Sequence, residues 1–259
     1  MKRDGFFYLQ LAFTLLVCAF LIVPVLMSVT AGLTVNYFTG IRSGFTLRWV
    51  AEVWDMYADT VWLTLQIALT TTVINVLAGV PCAYYLARYP SRFAVGFEEC
   101  LTLPVAIPGM AIALGLLSVY GDLTAFRSSW LFILTGHVIF TLPFMVKAVL
   151  AVLNSINFRV LEEGAASLGA SFRQRFMDVI VPNCKTGIMN GMLMTLTLSV
   201  GEFNLTWMLH TPLTKTLPVG LADAYASMRL EISSAYTLIF LCLILPLLIM
   251  AQWLNRRPV

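Results

Sequence analysis

Charge is what this sequence has least of. Of its 259 residues only 11% are Asp, Glu, Lys or Arg, while 59% are hydrophobic. Soluble domains carry about 25% charged residues. Too little polar surface remains to coat a water-soluble globule, so the composition excludes one and makes a bilayer the solvent. Histidine is nearly missing: His137 and His210 stand far apart and outside any H-E-x-x-H arrangement. That leaves no zinc-protease motif and no facing pair for a transmembrane haem. No G-x-S-G or clustered His/Asp pattern supplies a hydrolase. The lysines are Lys2, Lys147, Lys185 and Lys215, and none follows a glycine. A Walker-A loop ends in Gly-Lys to cradle phosphates, so this chain cannot bind ATP in that way. Cys18, Cys82, Cys100, Cys184 and Cys242 form no C-x-x-C pair and read as small apolar residues with free thiols. Basic residues form no stripe interleaved with aromatics, which argues against nucleic acid as a partner. No internal repeat or low-complexity segment is present.

Long uncharged runs are what the sequence has instead. Windows 6–29, 60–87, 100–121, 128–146 and 232–255 contain no Asp, Glu, Lys or Arg, and 186–209 is interrupted only by Glu202. A spanning helix needs about 20 apolar residues. The spacing predicts an all-α membrane protein of six transmembrane helices over 6–29, 60–87, 100–121, 128–152, 186–209 and 232–254. It leaves one membrane domain, 1–259, with short loops. With the N-terminus inside, the cytoplasmic segments hold Lys2, Arg3, Arg88, Arg92, Arg159, Arg173, Arg175, Lys185, Arg256 and Arg257. The outer segments hold Arg42, Arg48, Arg127, Lys215 and Arg229. Ten against five sets both termini in the cytoplasm by the positive-inside rule, with Lys147 snorkelling inward from the fourth span and Cys184 facing the cytoplasm. Secretory apolar regions run about 7–15 residues. The longer run after Lys2-Arg3 therefore reads as an uncleaved span.

Between the spans, the outer loop 30–59 is rich in Gly and aromatics, and Phe45-Thr46-Leu47-Arg48-Trp49 reads as a short interfacial segment. Pro90 makes a tight inner turn. Span three carries Pro104 and Pro108-Gly109, which fits either a broken helix packed inside the bundle or a simple proline kink. Span six carries Pro246 late in its length.

The longest inner loop, 153–185, is polar. Leu161, Ala165 and Leu168 recur at helical spacing, Gly169 permits a left-handed turn, and Ser171 with Gln174 forms an S-x-x-Q capping box. Phe172, Phe176 and Ile180 give the next helix an apolar face, and Pro182 is expected to end it. The loop thus reads as helix, glycine elbow, helix, kept slim by Ala165, Ala166, Gly169 and Ala170. Glu163-Gly164-Ala165, then Gly169, then Val179, Val181 and Pro182 resemble the loop of type I ABC importer permeases. That loop reads Glu-Ala-Ala, three residues, Gly, nine residues, Ile, one residue, Leu-Pro. Gly164, Val179 and Val181 depart from the pattern but keep its spacing. Pro104-Val105-Ala106-Ile107-Pro108-Gly109 and Gly201-Glu202-Phe203 resemble the family elsewhere, so the likeness covers nearly the whole chain. In general appearance it is nearest to the half-size permeases for polyamines, ferric iron, thiamine and 2-aminoethylphosphonate.

The resemblance implies a type I ABC importer permease fold in the bacterial inner membrane. It implies a second permease subunit, two copies of an ABC ATPase and an external solute-binding protein as partners, with ATP and Mg on the ATPase and no cofactor on this chain. It further implies coupling to the ATPase through Glu163, Ala165, Ala166, Leu168, Gly169, Ala170, Ser171 and Pro182, with motion passed on through span five. Glu202 is the one acid deep in an expected span, where a charge costs about 2.5–3.5 kcal/mol. With Phe203 and Asn204 it either lines a translocation path, favouring a cationic group on the solute, or pairs with a donor as a structural acid. His137 and His210 read as satisfied bundle or interfacial histidines. The outer loop 211–218 has only its location to suggest contact with a binding protein. A stand-alone carrier or channel of six spans is the alternative. It would want doubled halves or several intramembrane charges, and it leaves the helix–glycine–helix loop unexplained.

Overall fold

The computed structural model describes residues 5–255. Lys2, Arg3, Arg256 and Arg257, part of the inside charge count, lie outside the described residues. Among the described residues the chain is helical, with one isolated antiparallel bridge between Thr34 and Phe45. The helices are α1 (Gly5–Ala31), α2 (Arg48–Arg88), α3 (Arg92–Ala106), α4 (Gly109–Tyr120), α5 (Thr124–Arg127), α6 (Trp130–Ser155), α7 (Phe158–Ser167), α8 (Phe172–Gln174), α9 (Val181–Asn183), α10 (Lys185–Gly201), α11 (Asn204–Leu209), α12 (Leu217–Ala226) and α13 (Leu230–Asn255). A 3₁₀ turn covers Gly40–Ser43 and a π segment Arg175–Ile180.

Among the described residues four helices, α1, α2, α6 and α13, are each long and apolar enough to cross a membrane. Two of the six expected spans are not single helices. Span three is α3 and α4, bent by 106°. Pro108 has no N–H to donate and forces Ile107 into extended backbone (φ −88°, ψ 131°), so the helix is broken and not simply kinked. It is not packed inside the bundle of this chain, however, since Leu103, Ile107, Met110 and Leu114 stay exposed. Span five is α10, 17 residues and about 26 Å long, which is short of a hydrocarbon core of about 30 Å. Glu202 is extended (φ −72°, ψ 120°), and helix resumes only at Asn204. Span two starts earlier than expected: α2 begins at Arg48, within the expected interfacial segment 45–49, and is irregular at Tyr57 (φ −135°, ψ 15°).

The chain forms two compact units. One comprises the described part of Met1–Ala58 with Gly220–Cys242. Within it, Gly32 packs so closely on Ser234-Ala235 that a Cβ would lie 2.7 Å from the Ala235 nitrogen. Arg229 donates to Tyr57 Oη and Glu52 Oε1, both at 2.6 Å. The Trp49 indole N–H donates to the Thr34 carbonyl at 2.9 Å, while Phe45 and Leu47 stay exposed.

The other comprises Asp59–Val219 with the described part of Leu243–Val259. Its centre is α6, whose buried face runs from Phe132 to Leu153. Against it α10 packs through Gly187 and Gly191, where a Cβ would meet the Ala148 carbonyl oxygen at 2.8 Å and Met145 Sδ at 2.5 Å. Small residues four apart let two membrane helices approach backbone to backbone. Cys184 lies in this core rather than facing the cytoplasm. Burial pushes its thiol up to about 11, so it stays protonated and unreactive at neutral pH.

Candidate functional site

The loop between α6 and α10 folds as expected at its elbow. α7 ends in a Schellman turn: Ala170 N–H donates to the Ala165 carbonyl at 3.0 Å and Gly169 N–H to that of Ala166 at 2.9 Å. This closure needs a left-handed residue at Gly169, which has φ +85°. Ser171 and Gln174 then form the full capping box, the Ser171 N–H donating to Gln174 Oε1 at 2.8 Å. The helix runs on past the stop expected at Pro182. The π segment shifts the register so that the Val181 N–H reaches the Phe176 carbonyl. Pro182 then falls in the first turn of α9, where a missing N–H costs nothing, and the break comes at Cys184.

The face built from Leu161, Ala165 and Leu168 points outward. Leu161 is 42% and Leu168 91% exposed, whereas Phe158 and Glu162 are buried. Glu163, Ala166, Gly169, Ser171 and Pro182 are also exposed, with Ala165 and Ala170 half-buried. The elbow therefore presents an apolar tip with open space around Gly169.

Sequence reasoning singled out Glu163 and missed its neighbour. Glu162, 1% exposed, accepts a hydrogen bond from Tyr84 Oη at 2.8 Å. It pairs with Arg88 at 3.2 Å and Arg175 at 3.4 Å. Arg159 Nη2 donates to the Ala87 carbonyl at 2.9 Å. The Tyr84 ring packs against Phe158, Phe172 and Phe176 at centroid distances of 6.3, 6.2 and 5.3 Å. The available signal was Glu162 falling four residues after Phe158, on the same helical face.

The second cluster lies at the break in span five. Glu202 Oε1 accepts the Leu205 N–H at 3.0 Å, and Oε2 accepts the Thr206 N–H at 2.9 Å and its hydroxyl at 3.0 Å. The carboxylate thus caps α11 and is half-buried. Thr206 gives its one hydroxyl proton to Glu202, so His137 Nε2, 2.8 Å away, must carry the imidazole proton. In a neutral ring Nδ1 then accepts from Ser199 Oγ at 2.7 Å. His137 consequently bridges the break, holding Ser199 on α10 and Thr206 on α11. The chain continues through the Thr141 hydroxyl, which donates to the His137 carbonyl at 2.6 Å and accepts from Asn75 Nδ2 at 2.7 Å. Gly109, at the break in span three, abuts the same place: a Cβ there would sit 3.2 Å from Glu202 Oε1. Phe203 is half-buried and stacks towards Trp207 at 5.4 Å, while Asn204 is exposed.

Comparison with known proteins adds to this geometry. The family described as binding-protein-dependent transport system inner membrane component matches residues 79–259. PhnV of Salmonella choleraesuis (strain SC-B67), provisionally named a 2-aminoethylphosphonate transport system permease protein, is 27% identical over 251 residues, 94% of each chain. CysW of Synechocystis sp. (strain PCC 6803), a sulfate transport system permease protein, is 28% identical over 217 residues, 78% of each chain. PotI of Escherichia coli (strain K12), a putrescine transport system permease protein, is 27% identical over 243 residues, covering 89% of this chain and 85% of its own. Among solved structures, a chain of a bacterial alginate ABC transporter superposes with a TM-score of 0.70 at 16% identity, covering 99% of this chain and 96% of that one.

Proposed function

The chain belongs to the family of binding-protein-dependent transport system inner membrane components, and from that premise we propose that it forms half of the translocation path of an ATP-driven importer for a small polar solute. It crosses the inner membrane six times, with α3–α4 as the third crossing and α10–α11 as the fifth, both termini being cytoplasmic. A second permease subunit, the same chain or another, completes the path. Two ATPase subunits carrying ATP and Mg sit at the cytoplasmic face, and an external binding protein delivers the solute.

The observation that carries this reading is the elbow at Gly169. Leu168 is 91% exposed on a turn fixed by the Schellman bonds and the capping box, so an apolar anchor stands out from rigid backbone. Such an anchor is what a groove on an ATPase can seat. The systems named for the relatives carry an aminophosphonate, a sulfate and a diamine, and a polar solute is what these share. Glu202 gives no support to a cationic solute, because three donors of its own chain already occupy both oxygens.

The test is the Mg·ATP hydrolysis that co-purifies with the affinity-tagged chain from its native membranes. Leu168→Asp leaves the fold alone, since nothing covers that side chain. It is expected to lower the co-purifying activity by about tenfold or more, the loss of an anchor worth over 1.4 kcal/mol, with normal amounts of chain in the membrane. Gly169→Trp adds backbone strain at φ +85° and is expected to do the same. Wild-type levels of bound ATPase in both variants would rule out docking at the elbow.

A further inference from the structure

The loop is joined covalently to two spanning helices, α6 before it and α10 after it. Its third attachment is non-covalent and grips the inner end of α2. Tyr84 Oη donates to Glu162 Oε1 at 2.8 Å and Arg88 Nη1 lies 3.2 Å from Oε2. Arg159 closes the grip from the loop side by donating to the Ala87 carbonyl, one of the last acceptors of α2, at 2.9 Å. Arg175, 3.4 Å from Glu162 Oε1, ties the π segment to the same carboxylate. One acid thus joins α2, α7 and the segment that follows the elbow.

These attachments differ in stiffness along their length. α10 leaves the loop but stops at Gly201, and the chain is extended at Glu202 before α11. α2 keeps helical backbone angles from beyond Tyr57 to Arg88, about 45 Å of helix, although Pro81 within it removes one backbone hydrogen bond. A displacement of the loop entering α10 reaches a hinge part-way. The same displacement entering α2 through a hydrogen-bonded carboxylate meets no extended break, only the one hydrogen bond missing at Pro81. Glu163, exposed one residue further on, takes no part in this grip.

We infer that Glu162 is a positioning residue that binds the coupling loop to α2 as one rigid body, making α2 a lever for the ATP-driven motion alongside the broken span five. This rests on the docking reading of the elbow. The test uses the complex of this chain with its ATPase in nanodiscs. Nitroxides are placed at Val160→Cys on α7 and Leu77→Cys on α2, both exposed (65% and 71%), in a chain whose native cysteines are replaced. Pulsed electron resonance reads the 160–77 distance without nucleotide and with ATP plus vanadate. In the otherwise unaltered chain the distance is expected to stay within about 2 Å. In Tyr84→Phe/Arg88→Met, which keeps ring and stem packing, it is expected to shift or broaden by about a helical turn, roughly 5 Å. Arg88→Lys is expected to restore the fixed distance. A 160–77 distance that already changes in the unaltered chain overturns the inference, as does one that stays fixed in the double variant. Loss of the ATPase from the double variant also overturns it, since the grip would then serve docking. An unaltered chain that retains no ATPase removes the docking reading itself, and is recognised before any distance is measured.

Discussion

Glu202 turns both carboxylate oxygens onto the turn that follows it, so its removal is felt first in the backbone. Replacing it with Gln keeps one acceptor but presents an NH₂ group to N–H donors, leaving a cap donor of α11 without a partner. Loss of a cap costs about 1 kcal/mol, or about 3 °C in thermal midpoint for a domain of this size. Glu202→Gln is therefore expected to lower the unfolding midpoint of the purified chain in lipid–detergent micelles by that amount, with Glu202→Asp intermediate. An unchanged midpoint together with altered solute selectivity would return Glu202 to the path. The acid was visible in the sequence as an oddity inside an apolar run. Its partners were not, because they depend on α11 restarting two residues later. Glu162 was hidden by the reverse effect: in a polar loop an acid looks ordinary, and only the fold reveals that it is buried.

At the level of the helix pair, α6 and α10 meet where a side chain cannot fit. Gly187 faces the Ala148 carbonyl oxygen, which can move only with its helix, and a Cβ there would come within 2.8 Å. Gly191 faces Met145 Sδ, on a flexible side chain, at 2.5 Å, with Met145 Cα at 3.2 Å. Overpacking costs typically 1–3 kcal/mol. Gly187→Ala is expected near about 2 kcal/mol, and Gly191→Ala below about 1 kcal/mol because the methionine can change rotamer. Chemical denaturation of both variants checks the order, and an equal cost at the two positions would mean that α6 shifts as a whole. The Gly-x-x-x-Gly spacing of Gly187 and Gly191 stands in the sequence but was not singled out there, because its meaning needs the partner helix. The same limit explains the outward-facing Leu161, Ala165 and Leu168. Periodicity marks an apolar face, but in a protein with both lipid and protein partners it does not say which way that face turns. Pro108 was more informative, because the residue before a proline is pushed out of helix whatever surrounds it.

For the molecule as a whole, the bias of basic residues and the number of apolar runs were legible from composition, since both follow from the bilayer and not from packing. The two proposed crossings that are broken, α3–α4 and α10–α11, set how that topology is to be tested, because the helices themselves do not fix the side on which each loop emerges. Leu168, 91% exposed in the α7–α8 elbow, and Leu213, 93% exposed in the loop after α11, bracket the fifth crossing. If α10 and α11 together cross once, these positions lie on opposite faces. By the positive-inside rule, the basic residues Arg159, Arg173, Arg175 and Lys185 near Leu168 lead us to expect its face inside. In a cysteine-free background, Leu213→Cys is expected to react with a membrane-impermeant maleimide in spheroplasts, and Leu168→Cys only after the membrane is opened. Should both react from the same side, α10 and α11 form a re-entrant hairpin, the chain crosses five times, and its termini lie on opposite faces. The elbow could then still face the cytoplasm, but span five could no longer carry motion from it to the far side of the membrane.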